Sequence, residues 1–143
     1  MKRNLLNGII AVVMPIFLLS GCLERNTTDP IKAYKYWSAT KFFPGMKPPP
    51  DIEILKAQYW ESAHWTKEFI LYMKLKPTDN WWNQFVEINN MVIDTGIWKK
   101  PTDAPEWFRP SNDFVMYSVN NWGRSRVFYD PQNGECYIYM IQL

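Results

Sequence analysis

Residues 65–96 read WTKEFILYMKLKPTDNWWNQFVEINNMVIDTG, a strand, a stop and a helix in direct succession. Trp65, Phe69, Leu71, Met73 and Leu75 fall on one side of an alternating run; Thr66, Glu68, Tyr72, Lys74 and Lys76 fall on the other. Period-two alternation predicts a strand with one buried and one wet face. Pro77-Thr78-Asp79 ends the run and offers a helix cap. Trp81, Phe85, Ile88 and Val92 then form one helical stripe, flanked by Trp82, Val86 and Ile93, with Asn83, Glu87, Asn90 and Asp94 opposite. So wide an apolar arc predicts a helix laid across a sheet, stopped by Gly96.

Upstream, residues 52–61 are rich in Ile, Tyr and Trp and read as a partner strand, with Ser62-Ala63-His64 as the turn between the two. Downstream, residues 99–113 form a long connection punctuated by Pro101, Pro105 and Pro110. Three more strands are expected near residues 114–119, 126–129 and 136–141, the last two joined by Asp130-Pro131-Gln132-Asn133-Gly134, whose Asn-Gly supplies positive φ. The predicted class is α+β: an antiparallel sheet of about five strands in the order strand, strand, helix, strand, strand, strand, one helix packing on a face. A short helix precedes it, capped by Asp29-Pro30, carrying Ile31, Tyr34 and Trp37 on one side and ending near Thr40. The breakers Phe42-Phe43-Pro44-Gly45 and Pro48-Pro49-Pro50 make a stiff spacer between them.

The amino terminus carries an address. Lys2 and Arg3 open the chain, and residues 8–19 are apolar apart from Pro15, too short a run to span a bilayer. Leu19-Ser20-Gly21-Cys22 closes the run. The stretch resembles the signal of bacterial lipoproteins, whose lipobox puts leucine, two small residues and cysteine in these places. The resemblance covers residues 1–22. It implies cleavage before Cys22, diacylglycerol on the Cys22 thiol and acylation of the new amino group, so that several acyl chains fix the protein to the membrane. Leu23, where aspartate would signal retention at the inner membrane, implies the outer membrane, facing the periplasm. The expected organisation is residues 1–21 as cleaved signal, 22–50 as lipidated cysteine, tether and short helix, and 51–143 as the globular domain.

Removing Lys2 and Arg3 leaves 14 basic against 14 acidic residues, so the mature formal charge is zero. Nothing here calls for nucleic acid, which needs a basic face. With Cys22 acylated, Cys136 stands alone in an apolar strand pattern and is expected to be buried. The mature part keeps all 8 Trp, all 8 Tyr and 7 of the 8 Phe. That exceeds what one small core easily hides, and exposed aromatics point to recognition.

Catalytic constellations are sparse. His64 is the only histidine; with Glu61 it makes half a zinc site at most. Ser62 and His64 with Asp103 or Asp113 could be assembled into a triad, but there is no Gly-x-Ser-x-Gly elbow. The carboxylate pairs Asp51/Glu53 and Asp103/Glu106 lie in polar, proline-flanked stretches that suit solvation. No phosphate-binding glycine loop, cofactor motif or internal repeat is present. The sharpest signal is Trp107-Phe108-Arg109 at the centre of the long connection, with Trp122 and Arg124 in a second turn of similar chemistry. These residue types dominate interface hot spots, and proline lowers the ordering cost of binding. The same aromatics could instead pin the loop to the sheet. The expectation is a non-enzymatic lipoprotein that binds a protein partner, in the form of an inhibitor or immunity protein against a secreted toxin. A structural or glycan-binding envelope lipoprotein is the alternative, and a His64-dependent hydrolase comes third.

Overall fold

The computed structural model describes residues 23–40, 52–66, 68–119 and 123–143. The signal, Cys22, the proline-rich spacer, Asp51 and Trp122 lie outside these residues. The class is α+β, with two helices and one antiparallel sheet among the described residues. The strands are β1 (Arg25–Thr27), β2 (Ile52–Glu61), β3 (Phe69–Pro77), β4 (Val92–Ile93), β5 (Val115–Ser118), β6 (Arg126–Tyr129) and β7 (Cys136–Gln142); the helices are α1 (Pro30–Ser38) and α2 (Asp79–Ile88). The spatial order is β1-β2-β3-β7-β6-β5-β4, so two meanders meet where β7 pairs with β3.

The sheet has seven strands rather than about five. The first addition is β1, in residues expected to be tether. It has no alternation of its own, and is held by the edge of β2 with Arg25 opposite Glu61 and Thr27 opposite Tyr59. The second is β4, read as the tail of the long helix. That helix stops at Ile88, not at Gly96. Asn89 donates its side-chain amide to the Phe85 carbonyl at 2.8 Å, and Asn90 turns the chain at φ 47°. Asparagine tolerates the left-handed conformation that ends helices, so the Asn-Asn pair was the stop signal. Val92 and Ile93 then leave the helical stripe for a strand.

Helix placement differs as well: both helices pack on one face of the sheet, not one alone. The Asp29 carboxylate accepts the Lys32 N–H at 2.9 Å and the Thr78 hydroxyl accepts the Trp81 N–H at 3.3 Å, fixing both helix starts. Trp37 of α1 and Trp81, Trp82 and Phe85 of α2 close over Tyr59, Leu71, Met73, Ile138 and Met140. The Trp37 indole N–H donates to the Met140 sulfur at 3.1 Å, and Trp81 stacks on Phe85 with centroids 4.7 Å apart. Cys136 is fully buried in this layer, and burial pushes its thiol pKa well above the ordinary value.

The opposite face of β3 is wet at Lys76 but not at Tyr72, where the alternation had suggested solvent. Tyr72 is fully enclosed there with Phe108, Phe128, Tyr137 and Tyr139, roofed by the chain between β4 and β5. Trp65 belongs to the β2–β3 turn rather than to the strand and is exposed. Gly134 closes the β6–β7 turn at φ 67°, as its Asn-Gly context implied. Among the described residues no helix is long and apolar enough to cross a membrane.

Candidate functional site

The site is built by the segment between β4 and β5, which crosses the outer face of the sheet. Two aromatics hold it there. Phe108 is fully buried, edge-on to Tyr72 at 5.1 Å and to Tyr137 at 5.4 Å. Trp98 is half-buried and meets Phe128 edge-on at 4.8 Å. Polar ties complete the roof. Lys100 donates to the Pro105 carbonyl at 3.2 Å, and the Tyr72 hydroxyl donates to the Asp103 carboxylate at 3.2 Å. Burial first, then the Asp103 charge, raises the Tyr72 pKa well above the usual phenol range.

Trp98 stands between two open clefts. The larger, of about 610 Å³, lies against the β4 edge, with Ile93, Arg109, Ser111, Asn112 and Phe114 in its wall. The smaller, of about 370 Å³, is lined by Lys99, Asp103, Arg124, Arg126 and Tyr139. Arg126 is committed to the scaffold: it pairs with Asp94 at 2.9 Å and donates to the Gly123 and Ser125 carbonyls. Arg109 and Arg124 are exposed and make no ion pair among the described residues. Tyr139 feels Arg124 directly, because that charge lowers a pKa that burial raises.

Beside the clefts, the free edge of the sheet is unusually apolar. Ile88, Val92, Ile93 and Ile97 are exposed in succession along β4 and its flanks. The Asp94 N–H donates inward to Met116 at 2.8 Å, so by alternation Ile93 turns its own amide and carbonyl outward. A third cleft, of about 310 Å³, lies across the sheet and is lined by Asn26, Gln58, Trp60, Ile70, Tyr72 and Asp103.

The residues expected in the site are distributed as follows. Phe108 pins the loop, Trp107 is half-buried edge-on to it at 5.9 Å, and Arg109 rims the larger cleft. Arg124 rims the smaller cleft, on the other side of Trp98, and Trp122 lies outside the described residues. Sequence reasoning missed Trp98 and the apolar edge. The Ile97-Trp98 pair directly after Gly96 was the available signal.

The catalytic alternatives are not assembled. The Ser62 hydroxyl is buried without a hydrogen-bond partner among the described residues, while His64 is exposed in the turn. Asp103 is engaged by Tyr72 and Asp113 by Ser111. Glu61 is buried, taking the Tyr59 hydroxyl at 2.5 Å and Arg25 at 3.6 Å. Of the carboxylate pairs, Glu53 and Glu106 are exposed and Asp51 lies outside the described residues. No cluster of three or more His, Cys, Asp or Glu suited to a metal occurs among the described residues. Comparison with models of known protein families, with curated proteins and with solved structures finds no match to this chain.

Proposed function

We propose that this protein is a lipid-anchored envelope lipoprotein whose β4 edge and adjoining cleft bind a protein partner, without chemistry of its own. The observation that carries the reading is the set of exposed aliphatics, Ile88, Val92, Ile93 and Ile97, beside a cleft rimmed by the exposed Arg109. Large aliphatics exposed along the margin of a sheet mark interfaces, and an unprotected edge strand is a template for pairing with another chain. Arginine beside half-buried tryptophan is the composition of interface hot spots. The form of partner we favour is a secreted toxin that this protein inhibits at the outer membrane, facing the periplasm.

In-cell photo-crosslinking from residues 97 and 109 of the full chain tests this, with positions 35 and 56 as controls on exposed lysines elsewhere. Discrete adducts from 97 and 109 alone are expected. Ile93→Asp should cut their yield about tenfold or more, since anchors of this kind contribute roughly 2 kcal/mol. Equal adducts at all four positions, or none at 97 and 109, would overturn the protein reading.

One observation favours a glycan as the second reading. Trp60, half-buried, with Asn26, Gln58 and Asp103 around it, combines an aromatic platform with amide and carboxylate groups. Retention of the protein on immobilised peptidoglycan that disappears in Trp60→Ala would favour it; retention unchanged by that substitution would remove it.

A further inference from the structure

Pairing in the sheet brings several chain segments to one end. Arg25 of β1 stands opposite Glu61 at the close of β2, Glu61 opposite Phe69 at the start of β3, and Phe69 opposite Gln142 near the end of β7. The residues running out from these positions therefore emerge together. They include Leu23, which is 84% exposed, and Trp65 of the β2–β3 turn, 90% exposed. Arg124 joins them, because the neighbouring Ser125 hydroxyl accepts the Ile141 N–H at 3.1 Å.

Only Leu23 and Glu24 separate Cys22 from the first strand. Glu24 is itself tied down, accepting the Trp60 indole N–H at 2.6 Å. Three residue steps reach at most about 10 Å. That is comparable with the headgroup layer, roughly 5–8 Å thick on each side of a bilayer. A lipid on Cys22 thus leaves no slack, and this end of the sheet must meet the headgroups. Its chemistry suits them. Tryptophan concentrates at membrane interfaces because its ring prefers a boundary that is apolar on one side and wet on the other. The Arg25 charge is matched by Glu61, while Arg124 is exposed and can meet lipid phosphate. The opposite end of the sheet is unlike it: the β6–β7 turn there carries Asp130, Gln132, Asn133 and Glu135 and no aromatic.

We propose that this end of the sheet is a bilayer-docking face, with Trp65 seated in the headgroup interface beside the lipidated cysteine. The proposal rests on the anchor reading, and it fixes an orientation that an anchor alone would not. Strands would stand on the membrane, and the β4 edge would face sideways, on the far margin of the sheet from β1.

The full-length protein, purified with its native lipid, would be reconstituted into phosphatidylethanolamine–phosphatidylglycerol vesicles containing phosphatidylcholine brominated on its acyl chains. Bromine quenches tryptophan only on close approach. Quenching of the wild type is expected, with most of it absent in Trp65→Phe, a change at an exposed turn that leaves the core untouched. Fatty-acid labelling of the wild type and of Cys22→Ser reads the anchor separately. Labelled protein whose emission is unquenched, or quenched equally in Trp65→Phe, overturns the docking face and leaves the anchor standing. Unlabelled protein that stays in the aqueous phase overturns both.

Discussion

Phe108→Ala is expected to cost about 3–5 kcal/mol of stability, as truncation of a fully buried aromatic does. Tyr72, Tyr137, Trp98 and Trp107 all meet this ring, so its removal opens a cavity that none of them can fill without leaving its own partners. For a domain of this size the melting temperature should fall on the order of 10 °C. Arg109→Ala, one residue away on exposed backbone, should leave it within about 1 °C, since surface changes away from special features are near neutral. The pair divides the labour within Trp107-Phe108-Arg109: the phenyl ring holds the roof down and the guanidinium faces outward. Thermal unfolding of both variants, followed by near-ultraviolet circular dichroism, measures it. A melting temperature unchanged by Phe108→Ala would mean that the roof is not packed on the sheet.

Alkali should unfold this protein abruptly. Burial raises the pKa of Tyr59, Tyr72, Tyr117, Tyr129 and Tyr139 above the ordinary 10.0, and that of Cys136 above 9.0. Each group loses a proton on ionising, and the unfolded chain loses it at the ordinary value while the folded chain still holds it. Between the two values the folded state binds more protons, so stability is full below pH 9 and falls as pH rises from there. The slope is roughly 1.4 kcal/mol per pH unit for each engaged group. Three of them, Tyr59, Tyr72 and Cys136, are almost wholly enclosed and together remove about 4 kcal/mol per unit once all are engaged. Against a total of roughly 5–15 kcal/mol, the fold should be lost within about one to four units above pH 10. Tyrosinate absorbance and loss of near-ultraviolet dichroism should rise together. Tyrosinate absorbance amounting to more than the three remaining tyrosines, rising near pH 10 with the dichroism intact, would show that these five rings are solvated.

The parts of the fold legible in the sequence were those whose signal is local. The buried side of β3 from Phe69 to Leu75, the Asp29 and Thr78 caps and the Gly134 turn each act over a few residues, and each holds; the wet side of β3 does not, because the roofing segment covers Tyr72. What was not legible depended on partners distant in the chain. Three residues of β1 become a strand only because the edge of β2 accepts them, with Glu61 standing 36 positions along the chain from Arg25. Val92 and Ile93 fit a helical period as well as a strand, and the Asn90 turn decides between them. The enclosure of Tyr72 needed the path of the roofing segment, which its prolines do not specify. In the site, Arg109 and Arg124 could be singled out by residue type. Their separation by Trp98, and the apolar margin at β4, are products of topology alone.

The attachment of β1 bears on how the molecule takes a mechanical load. A pull on residue 22 enters at Glu24 and Arg25 and runs along the strand axis. It slides β1 lengthwise against β2 rather than peeling it away. In that geometry the Arg25–Glu61 pair, the Trp60–Glu24 bond and the ladder contacts resist in parallel, so they must yield nearly at once. A strand unzipped from its end would give them up one at a time, at lower force. The three-residue strand therefore works as a shear joint, passing tension applied at residue 22 into β2 and the strands beyond it.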